Sequence, residues 1–265
     1  MLSFSKLGKP EAGRLGNQLF QVAFITHFAQ KFNIEYKLPY WKYAEYFDYK
    51  FSFTADLQEL QSDLILQEPT LGYHEDYFVN YLPEIRTKNV NIAIGYFQSY
   101  KYFSKQHILN VFRFNDKFKS IKIDSSKCVA ISIRRGDFVN HPHYNNIQAD
   151  QFREILRNFK GHTVFVFTDD FKYCRNEFIG SHYEFMDGLS DIEQLINMSK
   201  FESFILSNST FSYWGPMLSP KPKKVWFPYY MFPDLNRCKL YNELYWPQDR
   251  DIYTPFFNPI NKTLL

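Results

Sequence analysis

Residues 130–138 read AISIRRGDF, and how this stretch is taken decides the fold. Val129, Ile131 and Ile133 form a β-rich apolar run that stops abruptly at Arg134, Arg135, Gly136 and Asp137. The pattern predicts a buried strand from Cys128 to Ile133 with two permanently charged forks at its carboxyl end. In open α/β sheets ligands bind at that edge, and arginine matches phosphate through two parallel N–H donors, which lysine cannot do. The same residues also fit a surface ion pair between Asp137 and either arginine, in a turn tightened by Gly136.

Outward from this point, strand, loop and helix alternate. A helix is predicted over Asp150 to Phe159, opened by an acidic cap, and a strand over Thr163 to Thr168 ends in Asp169-Asp170. Ser190, with Glu193 three residues on, is a capping-box signature for a helix reaching Phe201. A third strand, Phe204 to Leu206, runs into Ser207-Asn208-Ser209-Thr210-Phe211-Ser212, and a helix spans Tyr213 to Leu218. This alternation predicts a parallel sheet with right-handed crossovers, whose loops share one edge. There Ser209, Thr210 and Ser212 would meet Arg134 and Arg135. Hydroxyls and free backbone N–H groups together make an anion cradle, although an ordinary helix cap accounts for the same serines.

Upstream, Gly13-Arg14-Leu15-Gly16-Asn17-Gln18 reads as a glycine-punctuated loop feeding a helix from Leu19 to Phe32. It contains neither GKS, GKT nor GxGxxG, so the common nucleotide fingerprints are absent. Gly13 and Gly16 would let backbone approach a ligand, and the Asn17 and Gln18 amides donate and accept, as sugar hydroxyls require. A capped strand-to-helix turn is the alternative. Asn91 to Phe97 reads as a strand and Ser104 to Phe112 as a helix, and the rhythm changes near Asp124. The expectation is an α/β chain of two domains, 1–124 and 125–265.

Composition narrows the classes. A chain of 265 residues, 45% hydrophobic, can bury a substantial core. A net charge of +3, with Lys and Arg spread among acids, argues against a nucleic-acid surface. The 29 Phe and 20 Tyr suit an aromatic core, or platforms for sugar rings. Cys128, Cys174 and Cys238 form neither a disulfide framework nor a metal-ligand pattern, and no metal or cofactor is expected. Neither a signal peptide nor a membrane span is readable, so the expectation is a reduced, cytoplasmic protein. Asn208-Ser209-Thr210 and Asn261-Lys262-Thr263 match the glycosylation pattern but carry no such meaning in that compartment.

Taken in order, GRLGNQLFQVA, SIRRGDF, FVFTDD and ILSNSTFSYWGPML resemble the α-1,2-fucosyltransferases of glycosyltransferase family 11. The GRLGNQ and RRGD elements are also similar to those of protein O-fucosyltransferases and α-1,6-fucosyltransferases. The resemblance implies a GT-B-type fold of two facing Rossmann-like domains, with GDP-fucose held mostly by the C-terminal one and no metal. It implies inverting transfer of L-fucose from GDP-β-L-fucose to the 2-hydroxyl of a terminal β-galactoside. By the same resemblance, Arg134 meets the β-phosphate and stabilises departing GDP, while Arg135 orients the site. Asn17 and its loop, with Gly16 and Gln18, reach over fucose, and Ser209, Thr210 and Ser212 cradle phosphates.

Other positions stay open between two roles. Asp169 or Asp170 could accept from guanine or ribose, or cap a helix. Asp137 is the carboxylate nearest to serve as catalytic base, or it holds an arginine. His141 and His143 could line an acceptor cleft or sit on an exposed loop. The aromatics of Lys37 to Gln106, Trp41 among them, could select the galactose-terminated acceptor or pack a core. The chain also departs from its family's pattern: Ser132 replaces a histidine, Tyr213-Trp214 replaces Trp-Trp, and Gln194 stands where a carboxylate is expected. Two other functions fit the same motifs, a sugar- or nucleotide-binding protein without turnover and a transferase using another GDP-sugar.

Overall fold

Two parallel sheets, each in its own unit, organise the chain, with Met1–Phe118 forming one unit and Lys119–Leu265 the other. The structure, a computed structural model, describes residues 1–54, 62–70, 72–118, 120–142, 144–232, 234–249 and 251–256. Asp124, where the sequence rhythm changes, caps a short 3-10 turn, Ser125–Lys127, that leads into the first strand of the second unit.

In the first unit the described elements are β1 (Leu2–Ser3), α1 (Leu15–Phe32), β2 (Tyr36–Pro39), β3 (Phe53–Thr54), β4 (Leu64–Gln67), α2 (Glu75–Val79), α3 (Leu82–Thr87), β5 (Val90–Ile94) and α4 (Lys105–Val111). The sheet runs β3-β2-β1-β5-β4, every pair parallel. Helix α1 is buried along most of its length, because Leu19, Phe20, Val22, Phe24, Ile25 and Phe28 leave no polar face wide enough to meet solvent. It begins at Leu15, so Gly16, Asn17 and Gln18 form its first turn rather than the loop that the glycines suggested. Side-chain bonds offset the low helix propensity there. Gln18 Nε2 donates to the Gly13 carbonyl (2.7 Å), and Gln18 Oε1 accepts from Trp41 Nε1 (2.9 Å). Trp41 packs among Tyr43, Phe47 and Phe51, which makes it core and not a sugar platform.

The second unit comprises β6 (Cys128–Ile133), α5 (Ala149–Leu156), β7 (Thr163–Thr168), α6 (Phe171–Glu177), β8 (Tyr183–Phe185), α7 (Asp191–Met198), β9 (Ser203–Leu206), α8 (Thr210–Leu218), β10 (Lys224–Pro228), α9 (Leu235–Tyr245) and β11 (Tyr253–Phe256). Its sheet order is β11-β10-β9-β6-β7-β8, all parallel. From β6 the chain builds outward to β8, then returns to the other side of β6 for β9, β10 and β11. The order therefore reverses between β6 and β9, the switch point of a Rossmann-type sheet.

Strand β6 is buried at all six positions. Val129, Ile131 and Ile133 share a core with Phe152 and Ile155 of α5, Cys174 of α6 and Phe178 just past its end. Helix α5 is opened by a capping box between Gln148 and Gln151 and not by an acid; Asp150 instead pairs with Arg153. The Ser190–Glu193 box at the head of α7 forms as its spacing predicts. Helix α8 starts at Thr210, three residues before Tyr213, because Ser209 caps it. Tyr213 and Trp214 are wholly buried, Tyr213 against Tyr245 and Trp246. Gly215 lets α8 pack closely on Met198 of α7, since a Cβ there would displace the buried Met198 side chain. Gly215→Ala should destabilise the protein by about 1–3 kcal/mol through overpacking, measured by denaturant unfolding; an unchanged midpoint would contradict this packing.

Candidate functional site

The carboxyl ends of β6 and β9 meet at the switch point, and Arg134, Arg135, Asp169, Asp170 and the hydroxyl-rich loop lie around it. The Ser207 backbone N–H donates to the Ser132 carbonyl (2.8 Å), and Ser207 Oγ accepts from the Arg134 backbone N–H (3.1 Å). Ser212 Oγ lies 2.7 Å from Ser132 Oγ and 3.0 Å from Ser207 Oγ, so three buried hydroxyls form a continuous chain behind Arg134. Ser209 Oγ accepts from the Phe211 N–H (3.2 Å) as the α8 cap. Thr210 is half-buried in the first turn.

Carboxylates hold both arginines. Arg134 pairs with Asp137, and its Nη1 lies 2.5 Å from Asp169 Oδ2. Asp169 Oδ1 also accepts from the Arg135 backbone N–H (2.8 Å), so one carboxylate ties the side chain of one arginine to the backbone of the next. Gly136 makes this possible: a Cβ at that position would lie 2.5 Å from Asp169 Oδ2. Arg135 Nε donates to Asp170 Oδ2 (3.3 Å), and its guanidinium carbon sits 3.4 Å from the centroid of the Tyr173 ring. Asp170 at the same time caps α6 by accepting from the Tyr173 N–H (3.1 Å). Arg135 Nη1 is buried and without a hydrogen-bond partner among the described residues. Below the site, burial pushes the Cys174 thiol up to about 11, so it stays protonated and donates to Thr168 Oγ1 (3.5 Å).

Beside Arg134 opens a cleft of about 120 Å³ whose lining includes Ser132, Phe167, Asp191, Gln194, Phe211 and Ser212. Ser132 and Gln194, two of the departures from the family pattern, thus face the same space. Two arginines and three aspartates leave this cluster with one net negative charge. The cluster therefore presents short, directed N–H donors and no long-range positive field.

Sequence reasoning missed Ser207, Phe167 and Phe211. Ser207 sits in the hydroxyl-rich loop already singled out, but its bond to Arg134 follows from the β6–β9 pairing, which the linear order hides. In the first unit, Asn17 Oδ1 accepts from Gln98 Nε2 (3.0 Å) and Gly16 is buried in α1. Gln18, expected to bind a ligand, has its amide engaged by Gly13 and Trp41. His141 packs on Tyr144, while His143 and Asn261 lie outside the described residues. Asn208 is buried, donating to the carbonyls of Asn145 (2.9 Å) and Met231 (3.1 Å), so it joins loops instead of offering a glycosylation site. Among the described residues no group of three or more His, Cys, Asp or Glu side chains is placed to hold a metal, and no helix is long and apolar enough to cross a membrane.

Two Rossmann-type parallel sheets are the GT-B architecture of glycosyltransferases. The chain matches Arabidopsis thaliana FUT1, solved with GDP, at a TM-score of 0.54 and 13% identity over 85% of this chain and 69% of that one. It matches NodZ α-1,6-fucosyltransferase, soaked with GDP-fucose, at 0.50 and 12% over 80% and 90%. At those identities the likeness is one of fold. Residues 10–225 match Glycosyl transferase family 11, and the chain belongs to that family. Curated Escherichia coli relatives include the O-antigen biosynthesis glycosyltransferase WbnK, 26% identical over 61% of this chain and 65% of its own length. An alpha-1,2-colitosyltransferase is 25% identical over 78% and 85%.

Proposed function

We propose that the protein transfers L-fucose from GDP-β-L-fucose to the 2-hydroxyl of a terminal β-galactoside, inverting the anomeric centre to give an α-1,2 linkage. The observation that carries this reading is the arginine pair at the β6/β9 switch point, with a buried Arg135 donor left unpaired. A charged donor of that kind is costly unless an anion completes it. Breaking the anomeric C–O bond puts negative charge on the diphosphate, and Arg134, already fixed by two carboxylates, offsets it without rearranging. Ser209, Thr210 and Ser212 line the start of α8, where phosphate oxygens find hydroxyl and backbone donors. The new bond forms from the acceptor oxygen to the anomeric carbon, and the hydroxyl proton leaves late, to solvent or a carboxylate. Asp137, bound to Arg134, serves the reaction by holding that arginine. Asp169 and Asp170 do the same for the pair. Gly16 and Asn17 supply the sugar-facing turn of the first unit, and Gln18 shapes it through Trp41.

Incubation with GDP-fucose and a panel of β-galactosides, in excess EDTA, should release GDP only when an acceptor is present and yield an α-1,2-linked product. Acceptor-independent release, or a strict need for Mg²⁺ or Mn²⁺, would count against the reading. The colitosyltransferase relative favours a second reading, the same linkage with colitose transferred in place of fucose. Activated colitose as a parallel donor separates the two.

A further inference from the structure

The loop Gly95-Tyr96-Phe97-Gln98-Ser99 follows β5, and the reading above gives it no task. In the first sheet the strand order reverses between β1 and β5, so this loop and the β1–α1 connection leave adjacent strands at the carboxyl edge. That is a second switch point, the place where such sheets bind ligands. Phe97 there has φ 51°, a left-handed conformation that a bulky side chain rarely takes.

Several contacts hold it. The Phe97 ring stacks on Phe24 of α1 at 4.0 Å and 4°. Glu68, just after β4, accepts from the backbone N–H groups of Tyr96 (2.8 Å) and Phe97 (3.1 Å) and from the Tyr102 hydroxyl (3.2 Å). Gln21 Nε2 donates to the carbonyls of both Ala12 (3.1 Å) and Gly95 (3.0 Å), tying the two connections together. What this arrangement delivers is Gln98, whose Nε2 donates to Asn17 Oδ1. In that bond Asn17 uses its Oδ1, which leaves its NH₂ to face elsewhere. Its Nδ2 makes no hydrogen bond among the described residues and lies over Gly13, where φ is 77° and a Cβ would strike it.

We propose that Gln98 is a positioning residue that holds the Asn17 amide with its NH₂ presented to a pyranose hydroxyl, making the β1/β5 switch point a sugar subsite. The inference rests on the reading above, in which Asn17 serves sugar binding. The shared chemistry is a ring hydroxyl accepting from an amide donor, and the sugar is either the one transferred or the acceptor's galactose.

Gln98→Glu keeps the size of the side chain but only accepts, so Asn17 must turn its NH₂ inward to bond it. Gln98→Ala removes the partner altogether. With donor and acceptor varied separately, kcat/KM should fall about tenfold, more for Gln98→Glu than for Gln98→Ala, on the substrate that carries the sugar. Melting temperatures should stay near wild type. Saturation-transfer NMR on GDP-fucose and methyl β-galactoside should show pyranose signals that weaken in both variants. Wild-type constants for both substrates in Gln98→Glu would overturn the proposal, as would losses that merely track the folded fraction. If the wild-type protein transfers to no galactoside yet its pyranose signals vanish in Gln98→Glu, the fucosyl-transfer reading fails and the subsite stands.

Discussion

Arg134→Ala is expected to lower kcat by about 10²–10³-fold, the loss typical when a donor aimed at developing charge is removed. The side chain is only 18% exposed and is clamped by Asp137 and Asp169, so no reorganisation is needed as the leaving group departs. Removing it subtracts a positive charge and also leaves two carboxylates unneutralised where a diphosphate must sit. KM for the donor should rise less than kcat falls, because the interaction strengthens as the bond breaks. Arg134→Lys should recover little, since an ammonium cannot reproduce the planar fork that both carboxylates grip. Near-normal turnover in a folded Arg134→Ala protein would end the clamp hypothesis.

Asp169→Ala should cost about 10²-fold in kcat/KM. Its carboxylate fixes Arg134 Nη1 and the Arg135 backbone at once, and a shift of about 1 Å in such groups is worth that much. Asp169→Asn keeps an acceptor for the Arg135 N–H while losing the charge on Arg134, so it should fall between wild type and alanine. The pair also separates positioning from direct nucleoside contact. If Asp169 instead held guanine or ribose, donor KM would rise with kcat preserved.

Much of this arrangement was legible in the chain because it depends on local rules. The six-residue run from Cys128 to Ile133 and the TVFVFT strand fall where their apolar character puts them, and the Ser190–Glu193 box forms as its spacing demands. The start of α1 is hidden in the sequence because Gly16 and Asn17 have low helix propensity, which the Gln18 bonds to Gly13 and Trp41 outweigh. Strands β8, β10 and β11 are short or half-exposed, and their pattern is diluted by polar residues such as Glu184 and Lys224. The site followed the same division. Arg134, Arg135 and the hydroxyl loop announced themselves, whereas Ser207, Phe167 and Gln98 acquire meaning only through which strands lie side by side. The aromatic excess, with Trp41, Trp214 and Trp246 as its largest buried members, resolves toward core.

The run of hydroxyls Ser132, Ser212 and Ser207 has two possible proton orders on one set of oxygen positions. Ser207 Oγ is fixed as acceptor for the Arg134 N–H, but its own hydrogen can point along the run or away from it. In one order the hydrogens cascade from Ser207 to Ser132, leaving the Ser132 hydrogen for the cleft. In the other they run back toward the arginine and Ser132 offers the cleft a lone pair. The order from Ser207 to Ser132 gives every hydrogen inside the row an acceptor, and the row ends on the peptide unit of Arg134. The serine at position 132 thus joins the cleft to the backbone of Arg134 through three hydroxyls in a row.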